Sequence, residues 1–204
     1  MNEAGGMGAT LVLGLGNPIL GDDGVGWRVA ELIESRLAGL GRAAAGRTQG
    51  SPFAGVEVDR LSLGGLRLME RLVGYEHAVL VDAIVTGERP AGTIRCLRLD
   101  ELADPGAGHT GSAHDASLCA AMTLGRLLGA ELPTSPWVVA VEAERISEVG
   151  EELSPAVAAA VPVAADAVLA LLAGNHWQRA DGGAERSEVT GQARGQPGSA
   201  TCTS

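Results

Sequence analysis

Four residues combine chemistry with a suggestive setting. Asp22 and Asp23 stand side by side after a glycine-rich turn, Asp82 closes an apolar run, and His114 precedes Asp115 at the start of an amphipathic stretch. Carboxylates and imidazole are oxygen and nitrogen ligands for divalent transition metals. Two carboxylates with one imidazole leave coordination positions open for water or substrate. The same set also works without a metal of its own, because two close carboxylates share a proton and divide acid and base roles. The residue types leave both chemistries open. Each residue also has an ordinary reading: Asp23 as an acid favoured by a helix dipole, Asp82 as a turn cap, His114 as a surface residue. Position is what favours the combination. Asp23 follows one candidate central strand and Asp82 ends another, so neighbouring strands would bring both carboxylates to one edge of a sheet.

The elements that must position them are legible as alternating strands and helices. Thr10–Leu15 and His77–Ala83 are short apolar runs, as expected of buried parallel strands, and Trp137–Val141 is a third. Val56–Leu61 alternates in part, and Thr93–Leu99 interleaves Arg95 and Arg98 with apolar residues, which predicts an edge or half-exposed strand. Helical spacing marks Gly24–Leu40, a short stretch over Leu66–Val73, and Asp115–Leu128. A last helix opens at Ser154-Pro155, an N-cap serine followed by proline in the first turn, and runs to about Leu172. This alternation predicts a three-layer α/β/α sandwich around a mostly parallel, twisted sheet of about five strands. In such folds function gathers at the carboxyl ends of the strands. Residues 9–175 are expected to form a single catalytic domain. Residues 1–8 and the Gln-, Gly- and Ser-rich stretch 176–204 are expected to be disordered.

Other functions fit less well. Gly14-Leu15-Gly16 begins a dinucleotide-type GxGxxG, but Ile19 occupies the last glycine's place. Two aspartates would also meet a pyrophosphate at the helix N-terminus and repel it. GLGNP opens the peptidyl-tRNA hydrolases too, yet the tyrosine and His-Asn pair of that family are missing, and no histidine precedes His77. A formal net charge of −10 argues against a nucleic-acid partner, since phosphate binding needs clustered Lys and Arg. No uninterrupted apolar run reaches the roughly 20 residues of a membrane span, so no membrane partner is expected. No signal peptide is visible at the N-terminus. Cys96, Cys119 and Cys202 are scattered, which fits a reduced, cytoplasmic setting.

Four separated blocks, GLGNPILGDDGVG (Gly14–Gly26), VDAIVTGERPAGTI (Val81–Ile94), SAHDASL (Ser112–Leu118) and EVGEELSPAVAAAVPVA (Glu148–Ala164), occur in an order that resembles the hydrogenase maturation proteases, peptidase family M52. The resemblance spans about Thr10 to Gly174. It implies a cytoplasmic endopeptidase that removes a C-terminal extension from the large-subunit precursor of a nickel–iron hydrogenase after nickel insertion. It also implies that Asp23, Asp82 and His114 receive the substrate-borne nickel, with Asp23 and Asp82 as the catalytic acids. The free enzyme then needs no metal of its own. Asp22, Gly64 and Gly65 are expected to contact the substrate, and His109 lies off the pattern. One departure is plain. Many relatives carry Asp-Gly-Gly-Thr after the second strand, where the corresponding region of this chain reads Arg60-Leu61-Ser62-Leu63-Gly64-Gly65, so the glycine pair is present and the acid is not. A nickel-binding assembly module without proteolysis is the alternative.

Overall fold

The computed structural model describes residues 9–43, 53–62, 64–102, 113–174 and 188–189. In chain order the elements are β1 (Thr10–Leu15), a 3-10 turn (Gly21–Gly24), α1 (Val25–Ala43), β2 (Val56–Leu61), α2 (Leu66–Leu72), β3 (His77–Ile84), β4 (Ile94–Arg98), α3 (Leu99–Leu102), α4 (Ala113–Leu127), β5 (Trp137–Glu142), α5 (Pro155–Ala173) and β6 (Glu188–Val189). The sheet runs β2-β1-β3-β5-β4-β6. Strands β1, β2, β3 and β5 are mutually parallel, whereas β4 runs antiparallel to β5 and β6. The expected sandwich is therefore the observed fold, a mixed sheet with helices. Glu188–Val189 fall within the stretch expected to be disordered and pair with Ile94–Arg95.

Strand parity sorts the core into two layers. On one face Val12, Val79, Val81, Val139 and Val141 meet Val25, Val29 and Ile33 of α1 and Val157, Ala164, Val168 and Leu172 of α5. On the other face Leu11, Leu13, Leu15, Leu80 and Ala140 meet Leu68 and Leu72 of α2 and Leu118 and Met122 of α4. Side chains alternate across a strand, so each buried strand needs apolar residues at every position. The central strands β1 and β3 accordingly read as mostly apolar, TLVLGL and HAVLVDAI.

One helix, α5, is strongly apolar. This 19-residue helix contains an 18-residue window with a mean hydropathy of 2.2, enough by length and composition alone to cross a membrane. Its buried face packs into the first core layer, so here the helix serves as a core element. A helix lying against a sheet of valines needs small and branched residues, and Ala and Val supply both the close fit and the hydropathy.

Candidate active site

The two strands that carry the acids are neighbours. β1 pairs with β3 from Thr10↔His77 to Gly14↔Val81, and Asp82 is the next residue along β3. Asp82 shares strand parity with Leu80 and Ile84, so it belongs to the face covered by α2 and α4. It is buried, 1% exposed, and its Oδ1 accepts the Ala83 N–H at 2.9 Å. The helix α4 precedes a strand parallel to β3, so its N-terminus stands at the sheet's carboxyl edge on that same face. His114 is the second residue of α4, and its side chain lies outside the described atoms, as does His109.

The glycine turn acts as a spacer between backbones. Gly26, in the first turn of α1, lies so close to the ends of β1 and β3 that a Cβ there would stand 2.3 Å from the Leu15 carbonyl oxygen and 2.4 Å from that of Val81. Gly16 takes φ 112°, and a Cβ on it would meet the Asp23 carbonyl at 1.8 Å. The chain thus turns off β1 and folds its 3-10 turn directly over the edge where Asp82 sits, with the turn in contact with β3.

Within that turn the two aspartates part company. Asp22 is fully buried, and its carboxylate accepts four hydrogen bonds: from the Ser154 N–H at 2.6 Å, the Ser154 hydroxyl at 3.0 Å, the Arg145 N–H at 3.1 Å and the Glu144 N–H at 3.2 Å. Burial pushes its pKa up, but the bonds from Ser154, Glu144 and Arg145 more than offset this and hold it below the ordinary value. The carboxylate, expected to contact the substrate, is thus bonded within the protein in this structure. Ser154 stands at the N-cap of α5 as predicted, yet its side chain makes no capping bond; its hydroxyl is given to Asp22.

Asp23 is half-buried. Among the described residues its carboxylate takes one hydrogen bond, from the Asn17 N–H to Oδ2 at 2.6 Å. Among the described residues Oδ1 takes no hydrogen bond. Gly64 and Gly65 follow β2 at the same edge, and Gly65, at φ 62°, starts α2. Among the described residues no group of three or more His, Cys, Asp or Glu side chains is placed to hold a metal ion. The described members of the expected trio are two, Asp23 and Asp82, and they share the carboxyl edge of adjacent strands.

One acid at this edge was not singled out from the sequence. Glu142 ends β5 opposite Ile84 and is 1% exposed. Its carboxylate accepts the Thr86 N–H at 2.7 Å, the Thr86 hydroxyl at 2.8 Å and the Gly87 N–H at 3.0 Å. It pins the loop that leaves β3 just beyond Asp82. The available signal was an acid ending an apolar run, the same signal that singled out Asp82.

Comparison with known proteins identifies the family and the fold. A family model described as hydrogenase maturation protease matches residues 57–171, more than half of the chain. The match includes Asp82 and His114 and begins after the aspartate pair. The chain is 29% identical over 163 residues to the hydrogenase 2 maturation protease of Escherichia coli K12, covering 79% of this chain and 89% of that protein. The solved hydrogenase maturating endopeptidase HybD from E. coli superposes with a TM-score of 0.61 at 28% identity, covering 80% of this chain and 91% of the other. The HybD maturation protease of Thermococcus kodakarensis shares the fold, with a TM-score of 0.55 at 24% identity over 80% of this chain and 98% of that one. This chain belongs to the hydrogenase maturation protease family and is a peptidase.

Proposed function

We propose that the protein is an endopeptidase that trims the C-terminal extension from a nickel–iron hydrogenase large-subunit precursor and recognises that precursor by its bound nickel. The observation that carries this reading is the division of labour in the acid pair. Asp22 is buried and takes four hydrogen bonds, while Asp23 is half-buried and takes one, at the edge where β3 carries Asp82 two residues before its end. Nickel arrives as the substrate's cargo and docks on Asp23, Asp82 and His114, an oxygen–oxygen–nitrogen set suited to a divalent transition metal. The scissile peptide then lies beside the metal, which polarises its carbonyl or lowers the pKa of a bound water. Exposed Ile19, Ile146 and Val149 rim this edge, beside a hollow lined by Gly21, Arg145, Glu148 and Glu152. A peptide lying across the edge would cover those apolar groups.

The test is a processing assay. Nickel-loaded precursor is incubated with the wild type, Asp23→Ala or Asp82→Ala, and the precursor's C-terminal mass is read. Wild type is expected to release the terminal peptide, and each variant to be slower by at least ~100-fold. Nickel-free precursor is expected to be a poor substrate, and its efficient cleavage would remove nickel recognition from the reading. Nickel retention by the site without cleavage of any loaded precursor would assign a metal-binding assembly role instead.

A further inference from the structure

Asp22 ties together two loops that are more than 120 residues apart in sequence. Besides the four bonds to its carboxylate, its own N–H donates to the Arg145 carbonyl at 2.9 Å. On either side, the Gly21 N–H donates to the Gly150 carbonyl at 2.7 Å, and the Gly150 N–H to the Ile19 carbonyl at 2.9 Å. Residues 19–22 and the 143–154 loop therefore form one hydrogen-bonded unit, and the Asp22 side chain is its buried centre. Ser154 even forgoes the ordinary cap of its own helix to serve that centre.

Asp23 is the next residue in the same 3-10 turn, where successive side chains point about 120° apart. One carboxylate reaches inward to the loop and the next stands at the outer edge. The peptide plane between them is rigid. A change in how Asp22 is seated therefore rotates the unit that carries the Asp23 carboxylate and its bond from the Asn17 N–H. We propose that Asp22 is a positioning residue, which fixes Asp23 at the edge of the sheet by anchoring the turn to the 143–154 loop. Its consequence for catalysis rests on the function proposed above.

Asp22→Asn is the sharp probe. The amide keeps the shape but has one accepting oxygen. Either orientation turns its NH2 toward a backbone N–H, that of Ser154 or those of Glu144 and Arg145. Ser154→Ala removes only the hydroxyl donor and leaves three backbone donors in place, so it is the milder variant. Two quantities are measured on the full chain at a temperature where circular dichroism shows the variant folded. The first is hydrogen exchange at the Asn17 amide, which reports the seat of Asp23. The second is kcat and KM on nickel-loaded precursor.

In Asp22→Asn the Asn17 amide is expected to exchange at least ~10-fold faster, with the amides of Val79–Ala83 in β3 unchanged. The kcat is expected to fall by ~10-fold or more while KM moves less than about 3-fold, and Ser154→Ala should fall between. A folded Asp22→Asn with wild-type Asn17 exchange overturns the proposal, as does exchange that rises equally in β3. Wild-type kcat alongside a deprotected Asn17 amide overturns the catalytic consequence. If Asp22→Asn does not fold, an unchanged Asn17 amide in Ser154→Ala overturns the proposal. If the wild type cuts no precursor, the proposed function fails, and Asn17 exchange still decides whether Asp22 seats Asp23.

Discussion

The carboxyl edge of the sheet and the outer flank formed by β2 and α2 handle their acids in opposite ways. At the edge, Asp22, Asp23 and Glu142 are held by backbone N–H and hydroxyl donors, and among the described residues these three make no ion pair. On the flank, Glu57 and Asp59 share the Arg71 guanidinium, which also donates to Tyr75 and lies 5.3 Å from its ring centre. Arginine neutralises a carboxylate and competes with any cation for its lone pairs. Backbone donors fix a carboxylate in place and leave its full charge. The proposed docking of a metal-bearing substrate would need the second arrangement at the edge, whereas a surface that only has to stay folded and soluble can use the first.

The largest effect should come from breaking the edge's backbone framework at Gly26. A methyl group there would meet two carbonyl oxygens of the central strands at less than 2.5 Å. Neither oxygen belongs to a flexible side chain that can swing away, so α1 must lift off the ends of β1 and β3. Gly26→Ala is expected to cost more than ~3 kcal/mol or to prevent folding. Chemical denaturation measures this where the variant is soluble. A variant with wild-type stability would mean that α1 does not rest on the strand ends as described.

This framework also marks the limit of what the sequence discloses. The central strand Thr10–Leu15 was legible because burial on both faces demands an apolar run, and the edge strand Val56–Leu61 from its partial alternation; both are observed with the expected bounds. The glycines of Gly14–Gly26 were legible as a turn, but not the strand ends and carbonyls that they approach. That β1 and β3 are adjacent was the condition for joining Asp23 to Asp82, and strand order is not written in local periodicity. The roles of Asp22 and Glu142 were hidden for the same reason. Their partners lie 132 and 56 residues away, so nothing near either acid in sequence distinguishes a buried, saturated carboxylate from a solvated one. Ser154 was read correctly as the N-cap, but a local capping signal cannot show that a distant aspartate takes its hydroxyl.

Glu142 gives an intermediate effect and tests whether the edge depends on hydrogen bonds or on charge. Glu142→Ala would strip three bonds from the loop beyond Asp82 and leave the Thr86 and Gly87 N–H groups without their acceptor. Because Thr86 is only partly covered, water would replace part of the loss, and the cost is expected to be ~2 kcal/mol. Glu142→Gln should cost less than ~1 kcal/mol. Its oxygen can take both N–H groups, while its NH2 donates to the Thr86 hydroxyl, which can turn to accept. Urea unfolding of both variants, with equal slopes, would read the difference. Equal losses in Gln and Ala would mean that the negative charge itself holds the loop.

The smallest effect belongs to the flank, and its signature is its dependence on pH and salt. Arg71→Ala leaves Glu57 and Asp59 two residues apart on one face of β2 with no shared cation, yet both acids are about half exposed. Solvent screening should keep the loss near 1 kcal/mol at neutral pH and low salt, and reduce it at high salt. Burial pushes the Asp59 pKa up, but the bonds from Arg71 and from the Arg60 N–H outweigh it; Glu57 is pulled down chiefly by Tyr75 and then by Arg71. Both folded values lie below the unfolded ones, so the stabilisation is fully present above the ordinary carboxylate range. It is lost as pH falls through the lower, folded values. The gap between wild type and Arg71→Ala should therefore be constant from about pH 7 to pH 5 and close below about pH 4. Asp22→Asn, measured the same way, should keep most of its deficit in high salt, since backbone donors at the edge are not screened as exposed ion pairs are. If salt erased both deficits alike, the edge and the flank would be held by the same force, and the contrast between them would fall.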